Sequence, residues 1–136
     1  MFKEELQFIK KPITSRVKSF DDACKVLGIE NNLSIVGGTN KNRQKMIIFN
    51  KMLIILEALN EGWVPDWDNG DENKWYPYYN RVNGELAFNT SNYHNSCSYC
   101  GLYLCFKSKQ LSEYFGSIAE FSKLYNEFIN LVNRVA

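Results

Sequence analysis

Apolar positions along the chain follow two different rhythms. Between Thr39 and Glu61, Ile48, Met52, Ile55, Leu56 and Leu59 recur at spacings of three and four, the mark of one helical stripe. Met46, Phe49, Leu53 and Ile54 widen that stripe until little of the middle stays polar, which predicts a buried helical spine. Thr39 or Asn40 is its cap and Gly62 closes it. A shorter helix is predicted over Phe20 to Leu27: Ser19 is its N-cap, Asp21 and Asp22 favour the first turn, and Gly28 stops it. After Ser108, the helical rhythm of Leu111, Phe115, Ile118, Phe121, Leu124, Tyr125 and Phe128 predicts one long helix to about Asn133. Gly116 lies inside it at a cost of about 1 kcal/mol against alanine, which implies a packing reason.

The second rhythm is that of strands. Lys74 to Val82 and Glu85 to Ser91 flank Asn83-Gly84, the pair that best tolerates a tight hairpin turn with positive φ at both positions. That turn sets Val82 against Glu85, Arg81 against Leu86 and Tyr79 against Phe88, the last two pairs on the core face. Tyr99 to Lys107 alternates as a third strand, with Cys100, Leu102, Leu104 and Phe106 on one face and Tyr99, Tyr103 and Lys107 on the other. The expected fold is α+β: N-terminal helices, a three-stranded antiparallel β-meander and a long C-terminal helix packed on the sheet. Residues 1–136 make one compact domain, with 1–18 as a loosely docked N-terminal segment in which Leu6, Phe8 and Ile9 offer an edge strand.

Composition changes this picture in two places. The charge is near zero, 16 Lys plus Arg against 15 Asp plus Glu, which excludes a polybasic protein that binds through bulk charge. It is locally uneven, however. Glu57, Glu61, Asp66, Asp68, Asp71 and Glu72 lie in a stretch without Lys or Arg, while Lys41, Arg43, Lys45 and Lys51 follow Gly37-Gly38-Thr39. The P-loop spacing is missing there, so nucleotide hydrolysis is not expected. No segment has the roughly 20 apolar residues of a membrane span, and the first residues lack a signal peptide's apolar run. Cys24, Cys97, Cys100 and Cys105 are then expected as thiols in a reducing cytoplasm.

The other departure is aromatic: 3 Trp, 8 Tyr and 9 Phe. Many of these fall in the core stripes. Tyr76, Tyr78, Tyr99 and Tyr103 fall on the second sheet face beside Lys107, a stacking platform of the kind that a nucleic acid strand or a nucleotide uses. The alternative is that the Trp63–Asn73 loop or the N-terminal segment covers these rings. That loop is itself a candidate protein-interaction site, with Trp63 and Trp67 as anchors beside Asp66 and Asp68. Its acids do not match a calcium loop: counted from Asp66, Gly70 falls at position five and Pro77 at twelve. His94, Cys97, Cys100 and Cys105 could supply four zinc ligands, but a closed site usually draws on two separated pairs, and Cys100 and Cys105 would face opposite ways on a strand. A nucleophilic Cys97 or Cys100 with His94 as base would need an oxyanion site, and none is visible in the sequence; a small hydrolase using His94 stays open only because nothing excludes it. No cofactor and no catalytic residue are expected.

Three segments carry a resemblance. Ser19 to Gly28, Glu57 to Trp67 continuing to Lys74–Pro77, and Leu104 to Phe115 together resemble small proteins of phages and prophage-like elements of gut Bacteroidetes. The resemblance implies a phage-encoded accessory protein in the cytoplasm of a bacterial host, or associated with the virion. Its jobs would be genome handling, particle assembly or inhibition of a host or anti-phage defence enzyme.

Overall fold

The computed structural model of the chain describes residues 11–95 and 104–132. Among them run α1 (Ile13–Arg16), α2 (Phe20–Leu27), α3 (Asn40–Asn60), β1 (Lys74–Val82), β2 (Glu85–His94), α4 (Lys109–Ser117) and α5 (Ala119–Val132). Local chemistry explains most of the boundaries. The Ser19 hydroxyl accepts from the Asp22 N–H and the Thr39 hydroxyl from the Asn42 N–H, each satisfying a backbone donor that the helix start leaves free. Gly28 ends α2 at φ +69°. Asn83 and Gly84 turn the hairpin at φ +52° and +83°. The expected pairing of Val82 with Glu85 and of Tyr79 with Phe88 is present. Beyond it Tyr78 pairs with Thr90, so Asn89 is an extra residue and forms a bulge, and β2 continues to His94 rather than stopping at Ser91.

The three-stranded meander is not formed: the sheet among the described residues has two strands, β1 and β2. Of the expected third strand, Tyr99 and Tyr103 lie outside the described residues. Its end meets the sheet on the wrong side for a meander. Trp75 and Phe106 exchange both backbone hydrogen bonds, at 3.0 and 2.6 Å, on the edge of β1 that faces away from β2. That pairing stays a single bridge for reasons visible in the sequence neighbours. Two residues along, the next outward position of β1 is Pro77, which has no N–H to give. The side chain of Asn60, buried at the end of α3, donates to the Cys105 carbonyl and accepts from the Lys107 N–H, at 2.9 and 3.0 Å. The edge of β2 where a meander needs its third strand is occupied at one point. Asn126 of α5 accepts from the Leu86 N–H and donates to the Leu86 carbonyl, saturating the outer edge of β2 at that point.

The single long C-terminal helix is likewise corrected to two, α4 and α5, separated at Ile118, whose backbone is extended at φ −79° and ψ 121°. Gly116 supplies the packing reason: the Phe88 ring lies where a Cβ would stand. Ser122 completes the break by donating its hydroxyl to the Gly116 carbonyl at 2.8 Å. α4 lies against both strands, and α5 against α3 and β2. The core gathers around Phe106, Phe115 and Phe121, with ring centroids 5.4 and 5.2 Å apart along that series. Ile13 and Val17 are buried in the same core, and Tyr114 donates its hydroxyl to the Val17 carbonyl, which ties the first described residues to α4.

Candidate functional site

Where α3, the hairpin and α5 meet, the core does not close. A cleft of about 500 Å³ remains, walled by Phe49 of α3, by Tyr76, Tyr78 and Tyr79 of β1, and by Tyr125 and Phe128 of α5. The bulge at Tyr78/Tyr79 lies in this wall, so residues from both faces of β1 reach the cleft. Its rings are already held by one another. Tyr79 stacks on Tyr125 at 4.4 Å, Phe49 packs on Phe128 at 5.2 Å, and Tyr76 lies parallel to His94 at 4.8 Å. Tyr78 has no such ring partner among these contacts and is 45% exposed. No charged side chain lines the cleft among the described residues.

Tyr79 is the one polar oddity of the wall. Its hydroxyl is buried and has no hydrogen-bond partner within ordinary bonding geometry among the described residues. Burial, and after it the neighbouring Tyr125, pushes its ionisation far above the ordinary tyrosine value. Ser122 pulls the other way, yet its proton goes to the Gly116 carbonyl. Tyr79 is therefore a neutral phenol throughout the physiological range.

Of the residues expected on the tyrosine platform, Tyr76 and Tyr78 are brought together at the cleft. Tyr99 and Tyr103 lie outside the described residues. Lys107 is not part of the wall; its ammonium reaches Glu61, at 3.4 Å. Phe49, Tyr79, Tyr125 and Phe128 complete the site unforeseen, because their helical and strand spacing marks them as core and nothing in it marks a core left partly open.

The acidic loop has a centre that the sequence conceals. Lys74, the first cation after six acids, is fully buried. Its ammonium donates to the Asn69 and Asn95 carbonyls at 2.8 and 2.7 Å, lies 3.6 Å from the Glu72 carboxylate, and is covered by the Trp67 ring at 5.2 Å. Glu72 also accepts from the Asp66 N–H, at 2.8 Å. Trp67 thus faces inward over Lys74 and Trp63 is half-buried, while Asp66 and Asp68 are exposed. Among the expected metal ligands, Cys97 and Cys100 lie outside the described residues, His94 stacks on Tyr76 and Cys105 is a buried thiol. Among the described residues no three His, Cys, Asp or Glu side chains converge on a metal position, and no helix is long and apolar enough to cross a membrane. Comparison with protein-family models, with curated proteins and with solved structures finds no match to this chain.

Proposed function

We propose that the chain is a non-enzymatic binding protein whose cleft accepts one flat, largely uncharged ring, such as the base of a nucleotide, with the sugar and phosphates left outside. The observation that carries this reading is the ring-walled, uncharged cleft of about 500 Å³ with Tyr78 exposed at its wall. Stacking on such walls needs only a π-face, and among the described residues no cation lines the cleft to hold a phosphate. For that reason a single base fits better than a strand lying along a platform. In the setting implied by the resemblance, this is a small accessory protein working in the bacterial cytoplasm.

Titration of the protein with a nucleoside and its monophosphate, followed by NMR or calorimetry, tests the reading. Both ligands should bind alike and be insensitive to salt, and Tyr78→Ala should weaken binding by roughly 5- to 100-fold, the worth of about one stacked ring. Binding that grows with phosphate count and falls steeply with salt would instead indicate a strand held by charge. No binding of either ligand at millimolar concentration sinks the proposal.

A second reading is supported by the acidic loop. Val64 is 76% exposed beside half-buried Trp63, on a loop fixed from within by Lys74. In that reading the chain is a protein-interaction module, for a defence or host enzyme or for a particle component. Asp66→Lys with Asp68→Lys should abolish capture of such a partner and leave nucleoside binding unchanged.

A further inference from the structure

α3 is apolar on more sides than the fold covers. Its buried residues, Met52, Ile54, Ile55, Ala58, Leu59 and Asn60, all lie in the C-terminal half. Along the helix, positions 43, 46, 50, 53 and 57 follow one another at spacings of three and four and so share a single stripe. That stripe reads Arg43, Met46, Asn50, Leu53, Glu57. The neighbouring faces are occupied: Phe49 packs on Phe128 of α5, and Lys51 reaches over the ring of Phe20 in α2. On the stripe itself Met46 is 49% exposed, Leu53 is 40% exposed and Glu57 is exposed, while Arg43 and Asn50 are half-buried.

The order of residues along this stripe is self-complementary when reversed. Arg43 and Glu57 stand seven residues to either side of Asn50, and Met46 and Leu53 stand four before it and three after it. Two antiparallel copies related by a two-fold axis through Asn50 therefore bring like to like at the centre, apolar to apolar next, and opposite charges at the ends. Arg43 is prepared for such a role. Its guanidinium is fixed by the Gly37 and Gly38 carbonyls, at 3.2 and 2.6 Å through one nitrogen, with further N–H groups left to donate.

We infer that this stripe of α3 is an interface for a second copy of the same chain, packed antiparallel about Asn50. Each Met46 then covers the other copy's Leu53, and each Arg43 meets the other copy's Glu57. The contact runs about 21 Å along the helix, fourteen steps of about 1.5 Å. That is less than a standard interface requires, so the dimer is a weak one, populated at high protein concentration. Its ion pairs are partly exposed, so their main contribution is to register and orientation.

Sedimentation equilibrium over about 10 µM to about 1 mM reads the assembly directly in the range of weak interfaces. The apparent mass should rise from 15.8 kDa towards twice that value. Arg43→Glu and Glu57→Arg should each weaken the dimer by about tenfold or more, since each sets like charges face to face at both ends. The double variant R43E/E57R restores opposite charges and should recover the wild-type mass curve. In a dimer of half-labelled protein, isotope-filtered NMR should show contacts between the Met46 methyl of one copy and the Leu53 methyls of the other. A monomer at every concentration overturns the inference. So does a dimer without the Met46–Leu53 contact, or a folded double variant that remains as dissociated as the singles.

Discussion

Two clusters of rings lie side by side in this molecule, and they end differently. Phe106, Phe115 and Phe121 are completely buried, whereas Phe49, Tyr76, Tyr79, Tyr125 and Phe128 are half-buried around an open cleft. Ring chemistry alone does not separate them. The closed cluster is surrounded by elements drawn together by specific polar ties: the Asn60 bracket on residues 105 and 107, and the buried Ser91–Ser112 hydrogen bond of 2.8 Å between β2 and α4. The open cluster has a tie of its own, between Asn126 of α5 and the backbone of Leu86, a residue that lines the cleft. A held backbone is therefore not enough to close an apolar cluster: Leu86 is tied at both its N–H and its C=O and still borders open space.

That contrast can be broken most strongly at the closed cluster. Phe115→Ala should cost about 3–5 kcal/mol, the cost of emptying a packed site, whereas Phe128→Ala in the half-exposed wall should cost about 1–2 kcal/mol. Denaturant unfolding of both variants measures the gap, and equal losses would erase the distinction. Next comes the boundary. Gly116→Ala should cost about 1–3 kcal/mol by overpacking, because the new methyl displaces the Phe88 ring. Phe88 also meets Tyr79 edge-on at 6.1 Å, so the same substitution should alter the aromatic NMR shifts of Tyr79 and Tyr125.

A smaller effect separates the tyrosines by protonation. Tyr79 and Tyr114 both have ionisation raised above 10.0 chiefly by burial, with Tyr125 and Asp22 respectively adding to it. The folded state therefore holds these protons more tightly than the unfolded chain. Their contribution is intact below about pH 10, and stability falls as pH rises beyond it, because the unfolded state ionises first. Unfolding curves from pH 8 to about pH 11 should show this decline, and Tyr79→Phe should flatten it. At neutral pH the same variant should leave stability unchanged or raise it by a few tenths of a kcal/mol, since it removes a buried hydroxyl that has no hydrogen-bond partner among the described residues.

Local chemistry was legible in the sequence, and competition between distant groups was not. Ser19, Thr39, Ser108 and Asn83-Gly84 act within three or four residues of themselves, so caps, turn and the Tyr79–Phe88 register follow from their own neighbours. The meander failed at Leu86, whose edge goes to Asn126, 40 residues away. The long terminal helix failed at Gly116, whose partner Phe88 belongs to another element. Two of the six wall rings, Tyr76 and Tyr78, were readable as the outward members of an aromatic strand. The other four were hidden because a core stripe and a cleft wall have the same spacing. Lys74 was hidden in another way: it reads as the first residue of a strand, and its burial depends on carbonyls at residues 69 and 95.

Pro77 has a consequence that concerns neighbours rather than the fold. A two-stranded sheet has two edges, and each is an invitation for a foreign strand to add itself. Here the edge of β2 is occupied at Leu86 by a side-chain amide, and the edge of β1 is bonded at Trp75 and lacks a donor at Pro77. A strand from another molecule would meet an occupied position at Leu86 on one side and at Trp75, followed by a missing donor at Pro77, on the other. In a crowded cell, a small aromatic hairpin with this edge chemistry is guarded against growing into an aggregate.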